Sequence, residues 1–325
     1  MTEACGHSDV TVIVPAFNAA QWLGEALRSV SEQTAASWRV VVADDGSTDE
    51  TAAIARRFAE KDGRFTLLTL PHGGVSAARN AALDVAATEW VLPLDADDTL
   101  HPQALELTLA AAAQSPDTDI VIPRQRHGDI PDSFERFSDS AAERLDSAEV
   151  LRRLLLRRGV EASMSGSLYR RNLFESPEPL RFRHCRYEDL DLGYRVIGRA
   201  RRVALLPGEL YFYRRHDGSF MRSLTPERFD VLDVTDRMYG FFRGTPLERA
   251  AADRRFGAHC NILLVMYSYG DVSAEAERRC LEVIRHHRRG SLFGRGVRLK
   301  NRLGALASYG GRGAMRLLAK ILPQR

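Results

Sequence analysis

The chain lacks most of what a membrane-spanning or secreted protein needs. No run of about 18 uninterrupted apolar residues occurs, which excludes a spanning helix. The first residues carry neither the basic nor the apolar block of a signal peptide, so the cytosol is the expected compartment. Four cysteines, Cys5, Cys185, Cys260 and Cys280, are scattered without CxxC or other metal-type spacing, which suits reduced thiols rather than a disulfide frame or a zinc site. No P-loop and no GxGxxG follows a strand-like run, which argues against kinase and dehydrogenase chemistry. No internal repeat is found, and no nucleic-acid partner is expected. Asp and Glu are also absent from 283–325, a stretch that holds eleven Lys or Arg, so the net charge of +3 conceals an acidic remainder. A tail of this kind suits an anionic partner such as a membrane surface, a polyanion or an acidic patch, or else a solvated basic face.

What is present is a regular alternation over the first hundred residues, in a chain whose 44% apolar content is enough for a core. Val10 to Val14 is an apolar run closed by Pro15, and Trp22, Ala26, Leu27 and Val30 then share one helical face. The run 38-WRVVVA-43 reads as a buried strand, and Asp49 is placed to cap a helix from Glu50 to about Glu60. A strand at 65-FTLLTL-70, a helix from Ser76 to about Ala87 and a strand at 89-EWVLPL-94 follow. Strands apolar throughout and separated by helices imply a parallel sheet covered on both faces, with ligands beyond the strands' carboxyl ends. After a helix at Pro102 to Gln114 and a strand at 118-TDIVI-122, periodicity is lost from Pro123 to Ser140, the expected mobile loop. Helical patterning resumes near Ala148 to Arg157 and at 187-YEDLDLGYRVIGRA-200. Two short strands are expected at 203-VALLP-207 and 210-LYFYR-214, and helices from Pro226 onward with breaks at 289-RGSLFGRG-296 and 310-GGRG-313.

The expected carboxyl ends carry 15-PAFN-18, 44-DDGSTD-49 and 95-DADD-98. The last puts three carboxylates into four positions at the end of a buried strand, where each needs a partner or a proton. A divalent cation would supply the partner; a polar turn capping the next helix would also account for the residues.

Taken together, VTVIVPAFNAAQWLGEALRSVSEQT, VVVADDGSTDET, GGVSAARNAAL and WVLPLDADDTLHP resemble the glycosyltransferase family 2 pattern, in its order and spacing, over about residues 10–115. Further points of likeness fall at 168-LYRRNLF-174, 187-YEDLDL-192 and 213-YRRHDGS-219. The resemblance implies an α/β fold of the GT-A type: a Rossmann-like, mostly parallel sheet flanked by helices, with a helical C-terminal extension. The catalytic domain would be 1–223, its nucleotide-sugar half about 8–115 and its acceptor half about 116–223, followed by a basic helical region at 224–325. It also implies a nucleotide-diphosphate sugar donor, Mn²⁺ or Mg²⁺, and inversion at the anomeric carbon.

By the same resemblance Asp97 coordinates the metal directly, Asp95 reaches it or the ribose, Ala96 lies between them, and Asp98 supports. Asp45 accepts from the imide N–H of a uracil-like base in a pocket walled by Pro15, Ala16, Phe17 and Asn18. Arg79 faces the donor. Asp189 is the general base and Glu188 its positioning partner, although acidic residues also suit a helix start on dipole grounds alone. His216 completes the metal or phosphate site, and Arg214 or Arg215 neutralises the diphosphate. Ser167 stands where relatives commonly carry Lys, which leaves the acceptor contact open. The implied activity is transfer to a hydroxyl of a saccharide or lipid-linked acceptor, in surface polysaccharide or glycan assembly. A degenerate member that binds nucleotide or glycan as a scaffold is the alternative. The C-terminal region, with Leu292, Phe293, Val297, Leu299, Leu303, Leu306 and Leu317 among basic residues, suits peripheral contact at the inner membrane face, a homodimer surface or packing onto the catalytic domain.

Overall fold

The computed structural model describes residues 10–131, 133–137, 141–215, 226–270 and 272–321. β1 (Val10–Ala16), β2 (Trp38–Asp44), β3 (Phe65–Thr69) and β4 (Trp90–Pro93) lie in the order β3-β2-β1-β4, all parallel. β1 and β4 are buried at every position, as strands covered on both faces must be, and this is why their sequences do not alternate. The crossovers are α1 (Leu23–Ser31), α2 (Thr51–Lys61) and α3 (Val75–Val85). α1 turns Leu23, Ala26, Leu27 and Val30 into the core; burying each of the larger three contributes about 1.5–3 kcal/mol. Trp22 is its N-cap residue rather than part of that face.

Beyond β4 the sheet becomes mixed. It continues β4-β8-β6-β9-β5, through β5 (Thr99–Leu100), β6 (Thr118–Gly128), β8 (Leu168–Arg170) and β9 (Arg202–Arg214), with β7 (Glu143–Asp146) also pairing with β9. β8 is antiparallel to both its neighbours, whereas β6 and β9 are parallel. α4 (Ala104–Ala113) packs against β6 and β9. α5 (Ser147–Leu156) and α6 (Glu188–Ile197) lie between β7 and β8 and between β8 and β9 in the chain. The fold class is the expected one: a nine-stranded sheet with flanking helices.

Some local expectations are corrected. The strand at 118–122 does not give way to a loop at Pro123 but runs to Gly128, because Arg124–Gly128 pair with β9 whatever their side-chain pattern. The two short strands at 203–214 are one strand, with a register shift where Pro207 and Gly208 lie across from Pro123. Two prolines without an N–H are accommodated there as a bulge rather than as a chain break. β5 and β7, two and four residues long, carry no periodicity of their own. Asp49 stands one residue ahead of α2's N-cap position, Glu50, and its carboxylate accepts from the Thr51 N–H at the helix start as a cap does, and from the Ala20 N–H, tying the β2–α2 loop to α1's approach.

By their contacts the described residues divide into two compact units. One takes in the chain up to Ser147, then Ser163–His184 and the stretch from Arg195 to the end of β9. The other takes in Ala148–Ala162, Cys185–Tyr194 and the helices after β9: α7 (Asp230–Phe242), α8 (Glu248–Tyr269), α9 (Ala274–Phe293), α10 (Leu299–Tyr309) and α11 (Gly311–Ile321). Phe256, Leu263, Met266, Ile284 and Met315 are central to its core. The boundary expected after residue 223 lies outside the described residues. No helix among those described is long and apolar enough to cross a membrane.

Candidate active site

The ends of β1, β2 and β4 bring three loops to one edge of the sheet, because the parallel register aligns Pro15 with Ala43 and Ala16 with Asp44. The Asp45 N–H donates to the Ala16 carbonyl (2.8 Å). Asn18, held at φ 48°, accepts from the Thr48 N–H (2.9 Å), and its own N–H donates to Ser47 Oγ (3.0 Å). The stretches 15–18 and 44–49 are thus one structure.

Asp45 is buried, and its carboxylate is held by the N–H groups of Gly73 and Gly74, one on each oxygen at 2.8 Å, with His72 Nδ1 2.9 Å from Oδ2. A carboxylate has about four lone-pair sites, so three contacts leave one for a donor group from a ligand. Phe17, 46% exposed, stacks on the His72 ring with centroids 4.3 Å apart and planes 26° from parallel. A flat aromatic surface therefore stands beside an anchored carboxylate. His72 was not foreseen, because a lone histidine before two glycines carries no spacing signal.

The acidic cluster separates into three environments. Asp95 Oδ1 accepts from Arg79 Nη2 (2.6 Å) and Oδ2 from Ser165 Oγ (3.0 Å). Arg79 is itself buried on α3, its guanidinium 5.3 Å from the Phe182 ring centroid; expected to face the donor, it is placed on Asp95. Ala96 is buried, and Asp97 is half-buried with its carbonyl accepting from Arg214 Nε (2.9 Å). Asp98 is 1% exposed; it takes hydrogen bonds from the Tyr211 hydroxyl and from the Arg214 N–H (2.8 Å). Burial first, then the charges of Asp95 and Asp97, push its carboxyl up to about 8. Burial likewise raises the Tyr211 phenol well above its ordinary value. Arg214 pairs with Glu25 (2.6 Å), so it spans α1 and the acidic loop.

Gly166 closes this wall. Its φ is +76°, its N–H donates to the Pro93 carbonyl (2.8 Å), and a Cβ there would lie 2.4 Å from Tyr211 Cδ2. Ser165 and Tyr211 reach the site from β8's approach and β9, and neither was singled out as a site residue. Ser167, buried beside them, occupies the position noted for its departure from Lys.

Among the described residues no three His, Cys, Asp or Glu side chains gather into a metal cage. Asp97 and Asp95 nonetheless offer hard oxygens in a negative local field, the donor set of a cation completed by phosphate oxygens and water. His216 lies outside the described residues.

Glu188 and Asp189 belong to the second unit, half-buried in the first turn of α6. Tyr187 before them has φ 63°, and its carbonyl accepts from the Asp191 N–H (2.9 Å). Asp191, fully buried, is bound to Arg237 Nε of α7 (2.8 Å), so the third acid of this turn fastens α6 within its unit. Burial, then the nearby Asp191 charge, raises the Cys185 thiol to about 11, which leaves it inert as a nucleophile.

Residues 11–176 match the model of the family described as Glycosyl transferase family 2. Glycosyltransferase GlyG of Streptococcus pneumoniae serotype 4 is 28% identical over 223 residues, 66% of this chain and 73% of GlyG. Succinoglycan biosynthesis protein ExoO of Rhizobium meliloti is 30% identical over 244 residues, 71% of this chain and 68% of ExoO. Among solved structures, S. aureus TarS in complex with UDP-GlcNAc aligns with a TM-score of 0.70 at 19% identity, covering 96% of this chain and 90% of that chain. Mannosyltransferase PcManGT from Pyrobaculum calidifontis, in complex with GDP-Man and Mn²⁺, aligns with a TM-score of 0.56 at 19% identity, over 96% and 86%. With the sheet and the three converging loops, these matches make the chain a member of glycosyltransferase family 2, built on the GT-A fold.

Proposed function

We propose that the protein moves a sugar, with inversion, from a nucleoside diphosphate to a hydroxyl of a saccharide or lipid-linked acceptor, in surface polysaccharide or glycan assembly. The observation that carries this reading is the convergence of the Phe17–His72 stack, the anchored Asp45 carboxylate and the 95–98 acidic loop on one edge of the sheet. Phe17 offers a face for the base, with Pro15, Ala16 and Asn18 shaping its surroundings. The remaining lone pair of Asp45 suits a pyrimidine imide N–H, which favours a UDP-linked donor. TarS, bound to UDP-GlcNAc in its structure, is consistent with that choice.

Asp97, supported by Asp95, would hold Mn²⁺ or Mg²⁺; when bound, such a cation takes up the charge that develops on the leaving diphosphate. Arg79 and Ser165 hold and orient Asp95, while Tyr211 and the Arg214 N–H fix Asp98 beneath the loop. His216 enters this reading on the family resemblance alone. Asp189 would accept the acceptor's hydroxyl proton as that oxygen bonds to the anomeric carbon, opposite the breaking bond to diphosphate, with Glu188 positioning it.

The test is a panel of nucleotide sugars with and without Mn²⁺ or Mg²⁺, followed by chromatography of released nucleotide. One donor bound and slowly hydrolysed only with metal supports the reading. No binding with metal present moves the scaffold alternative forward. Asp189→Ala should stop transfer while leaving donor binding intact; transfer at the normal rate would remove Asp189 from its role.

The C-terminal helices expose Leu299, Leu303, Leu306, Leu317 and Ile321 within the acid-free basic stretch. That combination suits an anionic lipid surface better than bulk water. Sedimentation with anionic vesicles, weakened by salt, is the expected result; a dimer in light scattering without vesicle binding would assign the face to a second copy.

A further inference from the structure

The helical unit contains a cavity of about 250 Å³ lined by Tyr187, Arg157, Arg228, Arg254, Arg298 and Lys300. Water occupies about 30 Å³ per molecule, so the space admits a phosphate or diphosphate with part of what it is esterified to. Arg254 is the centre of the argument. It is 8% exposed on α8, and among the described residues no hydrogen-bond acceptor or carboxylate reaches its guanidinium. Burial, then the charges of Arg157 and Arg298, pull it down to about 9. A buried, unpaired arginine repelled by its neighbours is costly to fold unless something anionic answers it.

Two of the other cations hydrogen-bond to neutral groups. Lys300 Nζ donates to Asn261 Oδ1 (2.9 Å), and Arg228, 3% exposed, hydrogen-bonds to the Tyr187 phenol. Asp253 is the one carboxylate of the lining; Ser291 Oγ (2.9 Å) and Asn301 Nδ2 (3.0 Å) hold it, and burial raises its carboxyl above the usual range.

Two backbone observations agree. α10 begins at this wall with Arg298 as its N-cap and Lys300 in its first turn, without a side-chain cap and without an acid. That places positive side chains at the positive end of the dipole, an arrangement an anion would reverse. Arg157 and Tyr187, two of the three described non-glycine residues with positive φ (55° and 63°), both line the cavity. Such conformations cost of order 1 kcal/mol or more each and persist where the surroundings impose them.

We propose that this cavity binds a phosphate or diphosphate group and, resting on the transferase reading above, that the group belongs to the acceptor. Tyr187 adjoins Glu188 and stands two residues before Asp189, so a phosphate held here lies on the element that carries the proposed base. Its source is a lipid carrier or a soluble phosphorylated saccharide; the exposed Leu299, Leu303 and Leu306 of α10 suit the former.

The experiment uses the full chain in EDTA, which removes metal-dependent binding at the sheet edge, with inorganic pyrophosphate as probe. Pyrophosphate should raise Tm, and the rim variant Arg298→Gln/Lys300→Gln, at one exposed and one half-buried cation, should weaken its binding by about tenfold or more. Arg254→Met should raise Tm without ligand and lose the pyrophosphate response, whereas an arginine with only a structural role would lower Tm when removed. Absence of a pyrophosphate response, or a response unchanged in the rim variant, overturns the cavity. Farnesyl diphosphate binding about tenfold tighter than pyrophosphate marks a lipid carrier, and equal affinity a soluble phosphate. If pyrophosphate binds as expected but the rim variant transfers sugar to its acceptor normally, the acceptor assignment falls. If no donor is turned over at all, the transferase reading fails and the anion site stands by itself.

Discussion

The protein crowds like charges in two places and treats them differently. At the sheet edge Asp95, Asp97 and Asp98 fall within four residues, and the fold supplies fixed partners: Arg79 and Ser165 for Asp95, Tyr211 and the Arg214 N–H for Asp98. In the helical unit five cations line one cavity, and the most buried of the unanswered ones, Arg254, has no acceptor among the described residues. Buried charge is tolerated when its partners are built in; where they are not, the partner has to arrive. The acidic edge is therefore organised before any ligand binds, whereas the basic cavity is relieved only by one.

The comparison breaks first at Asp97. Asp97→Ala should lower turnover by about 10³-fold, the scale of losing the electrostatic stabilisation of a leaving group. Asp98→Asn, which preserves a neutral acceptor for the Arg214 N–H, should change turnover far less. Single-turnover rates of the two variants, with circular dichroism to confirm folding, decide it. Equal losses would mean that the fixed partners do not distinguish the two positions.

A second difference lies in acid sensitivity. His259 on α8 is fully buried, and burial, opposed by Asp236 (3.4 Å from Nε2), lowers its imidazole to about 4 from 6.5. The unfolded chain takes up a proton below about pH 6.5 that the folded one refuses until about pH 4, so stability falls with pH across that window and is flat above it. At about 1.4 kcal/mol per pH unit the loss approaches 3 kcal/mol. His287 is lowered to about 4 as well, by burial and by the neighbouring His286 and Arg255, and adds to the slope. Urea titrations at pH 7 and pH 4.5 should reveal this, and His259→Gln should flatten it; an unchanged slope would place the acid-sensitive group elsewhere.

Gly166→Ala tests how firmly the acidic edge is pre-built. A methyl 2.4 Å from Tyr211 Cδ2, at φ +76°, has to displace a ring that is itself wholly buried, with an expected cost of about 2 kcal/mol. A denaturation midpoint within error of the parent's would mean that Tyr211 yields readily.

These differences were unequally legible. The DADD run announced the acidic edge, because three carboxylates ending an apolar strand are visible in four letters. The strands β1–β4 were legible for the related reason that double burial makes them apolar throughout. β5, β7 and the second half of β6 were not, since only their pairing with β9 makes them strands. Ser165 and Tyr211 reach Asp95 from 70 and 116 residues away, and a lone serine or tyrosine bears no mark of that. The basic cavity was least legible. Its cations run from Arg157 to Lys300 on several elements, and of the eleven in the acid-free tail only Arg298 and Lys300 line it.

The smallest expected effect bears on the proposed donor end. Asp45 is a poor probe, because its oxygens hold the Gly73 and Gly74 N–H groups, and replacing it confounds folding with binding. Phe17 is cleaner: it is nearly half exposed, and its recorded ring partner is His72, also on the surface. If a nucleobase lies on that stack, Phe17→Ala removes one face and leaves Asp45 in place, costing about 1 kcal/mol, or roughly fivefold in UDP affinity. Phe17→Tyr retains the face and should bind normally. Calorimetry with UDP and Mn²⁺ separates the two variants; unchanged affinity in Phe17→Ala would mean that the base does not use this surface, and that the anchored Asp45 is scaffold rather than reader.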